Sequence, residues 1–154
     1  ALLTMLGAGY THRDGPYQDE VYRALQYLLN SMQNEDSSRQ DPRLKGQFVS
    51  PNSRHLMYEQ GIATFALCEA YHMTKDKWLE PGCQRAIDFI QTAQAYDGSW
   101  GYAIKQSGDL SIVGWQLMAL RSASASGLVI SGGNIKRIDR FLDGKMTDFA
   151  FYAY

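Results

Sequence analysis

At 154 residues, 45% of them hydrophobic, the chain is long and apolar enough for one domain with a packed core, which excludes intrinsic disorder. Lys and Arg number 15 against 16 Asp and Glu, a net charge of -1, so the charge balance gives no reason to expect nucleic acid or an anionic membrane as partner. No apolar run approaches the roughly 20 residues of a bilayer span, so no membrane-crossing helix is expected, and Cys68 and Cys83 do not make a disulfide framework.

Residues 1–10 open inside an apolar segment and end in Gly7-Ala8-Gly9-Tyr10, the pattern of the C-terminal half of a helix. There is no initiator Met and no leader layout, so the chain reads as an excised piece of something longer. Pro16 suits a first helical turn, Asp19 and Glu20 favour that turn electrostatically, and Val21, Leu25, Leu28, Leu29 and Met32 give an apolar face. A helix is predicted from about Pro16 to Gln33. Residues 34–52 are polar, contain Pro42 and Pro51, and are expected to form a long loop.

Ser53 is placed to cap a helix over Arg54–Met73 that is apolar on more than one side and hence buried. After a turn at 74–79, Pro81 starts a helix whose stripe is Cys83, Ile87, Phe89 and Ile90, running to about Gln94. The stretch Asp97-Gly98-Ser99 is a turn, and Gly101 and Gly108 mark further loop. Asp109 is a good N-cap for a helix to about Ala125, with Gly127 as its stop. Gly132-Gly133-Asn134 leads into a last helix over Ile135–Asp143, ended by Gly144. The expectation is all-α: hairpins at about 1–33, 53–94 and 109–144.

The hairpins repeat. Leu6, Leu67 and Leu120 occupy one register, and Tyr27, Phe89 and Phe141 follow them after 21, 22 and 21 residues. Arg23, Arg85 and Arg137 open matching segments of the second helices. Successive hairpins are 61 and then 53 residues apart, the excess being absorbed by the 34–52 loop. Trp100 lies eleven residues after Phe89, and Tyr152 eleven after Phe141, so the chain stops at the threshold of a fourth copy. In such arrays one helix of each pair is apolar nearly all round and its partner is amphipathic, because a single hairpin cannot bury its face alone.

Gln94-x3-Gly98-x-Trp100, joining helical hairpins of this length, resembles the QW motif of squalene cyclases. The chain is thereby similar to the α/α-toroid superfamily of terpenoid cyclases and protein prenyltransferases, in particular to bacterial proteins described as prenyltransferase/squalene-oxidase repeats. Asp109-Leu110-Ser111 ahead of Gly114-Trp115-Gln116 resembles the start of an inner helix in that family. The resemblance implies a partial α/α toroid of inner and outer helices. It does not extend to chemistry. Where the cyclases carry Asp-x-Asp-Asp, this chain has Ser107-Gly108-Asp109-Leu110, a lone carboxylate with no neighbour to help hold a proton. Cys68 and His72 share a helix face and Cys83 follows, but no zinc motif of the prenyltransferases surrounds them, and the bland reading is a buried thiol and a surface His.

The candidate ligand-binding residues are Tyr58, Glu59, Trp100, Tyr102, Asp109 and Trp115. Asp109 is a helix cap or an acid at a cavity mouth. Trp100 and Tyr102 serve turn packing or cavity lining, and Trp115 faces a cavity or a neighbouring helix. Tyr58 and Glu59 stand near an inner-helix start, and Glu59 is the carboxylate to test first. His12 and His55, at helix margins, read as solvated. No catalytic residue, metal or cofactor is assigned. The expected function is a non-catalytic helical-repeat module that binds an apolar small molecule or a protein on its inner face, with self-association through open apolar end faces. The alternative is part of a cyclase-like or prenyltransferase-like enzyme whose catalytic residues lie elsewhere in a longer chain.

Overall fold

The computed structural model describes residues 1–32, 44–48 and 54–146. Among the described residues there are six helices: α1 Leu2–Gly7, α2 Gln18–Asn30, α3 Leu56–Thr74, α4 Glu80–Ala93, α5 Leu110–Ser126 and α6 Gly132–Asp143. None of these residues forms a strand; a single antiparallel bridge joins Met32 to Phe48. The chain is therefore all-α, and none of its described helices is long and apolar enough to cross a membrane.

Burial follows the two kinds of helix expected. On α3, Met57, Gln60, Thr64, Leu67, Cys68 and Tyr71 are buried, which takes in more than one side of the helix. On α2 the buried residues are Val21 and Leu25, while Tyr22, Arg23, Gln26 and Tyr27 are exposed. The most closely packed pair is α3 with α5, and α4 lies against both. Gly61 is what lets α5 come close. A side chain there would sit 2.7 Å from Gln116 Nε2, and that same amide donates to Met57 O at 2.6 Å.

Several boundaries move, each for a local reason. Helix α2 begins at Gln18, so Pro16 stays in the preceding turn, and it ends at Asn30, where Ser31 Oγ turns back to donate to Leu28 O. Helix α6 begins at Gly132 rather than Ile135. Ser131 N donates to Gln91 Oε1 at 2.6 Å, and Asn134 Nδ2 donates to Gln91 O at 2.9 Å, so the lead-in is docked on α4 and already helical. The proposed cap Ser53 and the proposed counterpart Tyr152 lie outside the described residues.

Residues 44–48, the described part of the expected 34–52 loop, are packed: Gly46 and Phe48 are buried, and Phe48 belongs to the core. Gly46-Gln47-Phe48 stands 52 residues before Gly98-Ser99-Trp100, and the two turns do the same thing. Gly46 has φ +88° and an added Cβ would meet Arg85 O at 2.0 Å; Gly98 has φ +94° and an added Cβ would meet Arg137 O at 2.0 Å. Arg85 and Arg137 are themselves 52 residues apart. Each turn therefore presses a bare glycine onto the backbone of a following amphipathic helix and drives an aromatic ring inward.

Glutamine services both turns, from different places. Gln94 Nε2 donates to Gly98 O at 3.0 Å, and its Oε1 accepts from Asn134 Nδ2 at 2.8 Å and Arg137 Nε at 2.9 Å. The position 52 residues earlier is Pro42, which has no such side chain. At the first turn Gln60, on α3, takes over: its Nε2 donates to Gly46 O at 3.1 Å and its Oε1 accepts from Phe48 N at 3.0 Å. Gln60 makes no hydrogen bond to the arginine, and among the described residues the buried Arg85 Nε has no hydrogen-bond partner.

A polar clasp holds the segment after α1 to the turn between α3 and α4. His12 Nε2 meets Asp76 Oδ2 at 2.9 Å, and Arg13 adds contacts to the same oxygen at 3.0 and 2.8 Å. His12 is thus not solvated: its side chain is 4% exposed and packs edge-on against Trp78. The His12 hydrogen bond, reinforced by Arg13 against the opposing effect of burial, holds the Asp76 carboxyl below its ordinary range.

The turns make a test. Gly98→Ala combines a left-handed φ with a collision against Arg137 O and should cost about 3 kcal/mol or more, whereas Gly127→Ala, at φ +87° with nothing within 4 Å, should cost only about 1–2 kcal/mol. Urea unfolding of the two variants measures the difference; equal losses would show that the approach to Arg137 carries no weight.

Candidate functional site

Three of the six candidate residues meet where α3 and α5 begin. Asp109 caps α5: its Oδ1 accepts from Ser111 N at 2.8 Å and Ile112 N at 3.2 Å. The same oxygen takes the Ser111 hydroxyl at 2.5 Å, and Ser111 Oγ is also hydrogen-bonded to Tyr58 OH, across from α3. An ionised carboxylate only accepts, so Ser111 must give its proton to Asp109, and Tyr58 must donate to Ser111. The result is a directed line, Tyr58 to Ser111 to Asp109. Tyr102 lies beside it, with ring centroids 6.0 Å from Tyr58 and 5.4 Å from His55. Its carbonyl accepts from Met57 N at 3.4 Å, which ties the loop before α5 to the first turn of α3.

The electrostatics set what this line can do. The Ser111 hydroxyl, joined by the Ile112 and Ser111 backbone N–H groups and opposed by burial, holds the Asp109 carboxyl below its ordinary value of 3.8. That is the reverse of what a proton-donating acid needs. The arrangement is a hydroxyl line ending on a fixed negative charge, beside the rings of Tyr58, Tyr102 and His55.

The other candidates lie apart. Trp100 is fully buried, and its Nε1 donates to Ile90 O at 2.9 Å, so its indole is engaged within the core. Glu59 turns toward α1 and α2, beside an open cavity of about 340 Å³ lined also by Leu2, Leu3, Leu28, Ile62 and Ala66. Trp115 is half-buried, with its Cβ near Gly61 of α3. Cys68 and Cys83 are free, buried and in contact. Their hydrogen bond, with burial adding to it, raises the Cys68 thiol well above its ordinary range, while His72 is exposed. Among the described residues no three His, Cys, Asp or Glu side chains gather as a metal site would require.

Sequence reading missed Ser111 and His55 as members of the cluster. Ser111 had a signal: it lies two residues after the cap, in the first turn, where an ST hydroxyl reaches a capping carboxylate. His55 meets Tyr58, three residues on, and also Tyr102, 47 residues away, a contact that local sequence does not signal. No family model, no curated protein and no solved structure matches the chain.

The cap yields a pH test. A carboxyl with a depressed folded value stabilises the fold while it is ionised, so its contribution is full above 3.8 and fades as pH falls through the lower folded value. Asp109→Ala should cost about 1 kcal/mol at neutral pH, and its difference from the parent should shrink as pH falls below 3.8. Urea titrations across pH read this directly; a gap that persists into acid would assign the loss to packing instead.

Proposed function

We propose that this chain is a three-hairpin stretch of an α/α toroid, with α1, α3 and α5 inside and α2, α4 and α6 outside, and that it binds an apolar molecule bearing a hydroxyl at the shared start of α3 and α5. The observation that carries the architectural half is the recurrence, at a spacing of 52 residues, of a glycine-x-aromatic turn pressed onto an arginine carbonyl. Such turns join successive hairpins in the superfamily that Gln94-x3-Gly98-x-Trp100 resembles. The binding half is supported by the composition of the cluster. Tyr58, Tyr102 and His55 supply ring faces for a hydrocarbon body, and the Tyr58–Ser111–Asp109 line supplies a polar end for a hydroxyl. A held, ionised Asp109 favours binding over acid-initiated cyclisation.

Farnesol is a suitable probe, being a hydrocarbon chain with a single terminal hydroxyl. In an NMR titration the amide signals of 55–58, 102 and 109–111 should move together and saturate. Tyr58→Ala should weaken binding about fivefold or more, as expected for an aromatic at the centre of a small site. Shifts scattered over the apolar surface, or unaltered affinity in Tyr58→Ala, would remove the site from consideration.

A further inference from the structure

The outer face of the last hairpin is built differently from the face it repeats. Leu117, Leu120, Ile130, Ile135 and Ile138 line an open groove of about 340 Å³ between α5 and α6, with Arg121 on one wall and Asp139 on the other. Alignment of the repeats puts Arg121 on Cys68, 53 residues earlier, and Asp139 on Ile87, 52 residues earlier. Cys68 and Ile87 are both completely buried. Two positions that are apolar and covered in the second hairpin are thus charged and exposed in the third. Neither Arg121 nor Asp139 has an ion-pair or hydrogen-bond partner among the described residues.

This pattern restricts what can cover the groove. A plain apolar helix face laid over it would strip water from two unpaired charges, which is costly. A covering surface must be apolar in the middle and must bring one acid to Arg121 and one base to Asp139. The groove itself meets that description. Its charges are opposite in sign and stand on opposite walls of an apolar strip, so a two-fold axis through the strip would place Arg121 of one copy on Asp139 of the other, twice over. The geometry points to the α5–α6 groove as an isologous interface whose occupant is the same groove of a second copy of this chain, held in register by two reciprocal Arg121–Asp139 pairs. Closed two-fold pairing ends at two chains, whereas head-to-tail stacking of hairpin faces would continue.

Charge exchange tests this without disturbing the fold, because both side chains are exposed. Light scattering over a rising concentration series should show the mass of the parent chain climbing from 17.4 kDa toward twice that value. Arg121→Asp alone places like charges opposite each other at both pairs, and so does Asp139→Arg alone. Each variant should dissociate about tenfold more readily or worse, with unchanged circular dichroism. An equimolar mixture of the two should recover the parental association, because each mixed pair again joins opposite charges. An ion pair within one chain cannot give that recovery. A parent that stays monomeric throughout, single variants that associate like the parent, a mixture that stays dissociated, or masses growing beyond twice the chain would each overturn the assignment. Farnesol binding at Tyr58 is read separately, so failure of one reading leaves the other standing.

Discussion

The fold depends on two places where a glycine touches a backbone carbonyl it could not approach with a side chain. At Gly46 and Gly98 the chain takes a left-handed turn against Arg85 O and Arg137 O, and in each case the residue two positions on is a buried aromatic. The turn fixes how far the connecting segment lies from α4 in the first case and from α6 in the second. The ring fixes which way it enters the core. Phe48 and Trp100 belong to the same core cluster as Leu67 of α3, Ile87 of α4 and Leu120 of α5, so the turns are structural joints rather than linkers.

The two joints are each held by a glutamine, from different places in the chain. What the second needs is an acceptor for Arg137, a donor for Gly98 O and an anchor for Asn134, and Gln94 provides all three. With Pro42 at the matching place of the first joint, a glutamine on another helix, Gln60, donates to the glycine carbonyl. The substitution does not extend to the arginine: among the described residues Arg85 Nε has no hydrogen-bond partner.

The polar line at the start of α5 follows from the same joint. Gly108 lies so close to Trp100 that a Cβ on it would overlap Trp100 O, and its N–H donates to Ser99 Oγ at 2.8 Å. That pins the residue before Asp109 and therefore the cap. With α5 started there and held against α3 at Gly61, Ser111 arrives within reach of Tyr58. The candidate site is a by-product of helix capping and helix approach, which is why its carboxylate is ionised and its hydroxyls are ordered.

Much was legible in the chain itself. Period-3.6 apolar stripes, Pro81 in the first turn of α4 and Gly127 past the end of α5 fixed the all-α class and the order of helices, because these signals act within one or two turns of backbone. Asp109 as a cap was legible for the same reason, its partners being the next two or three residues. Tertiary structure alone decided the rest. It drew residues 44–48 into the core through Gln60, buried His12 against Asp76, set Glu59 and Trp100 apart from the other candidates, and joined Tyr58 to Ser111 over 53 positions. Those contacts pair groups far apart in sequence. Local propensity carries no information about which distant side chain will fill a given hydrogen bond, and only the packing of α3 against α5 and of the joints against the outer helices supplies it.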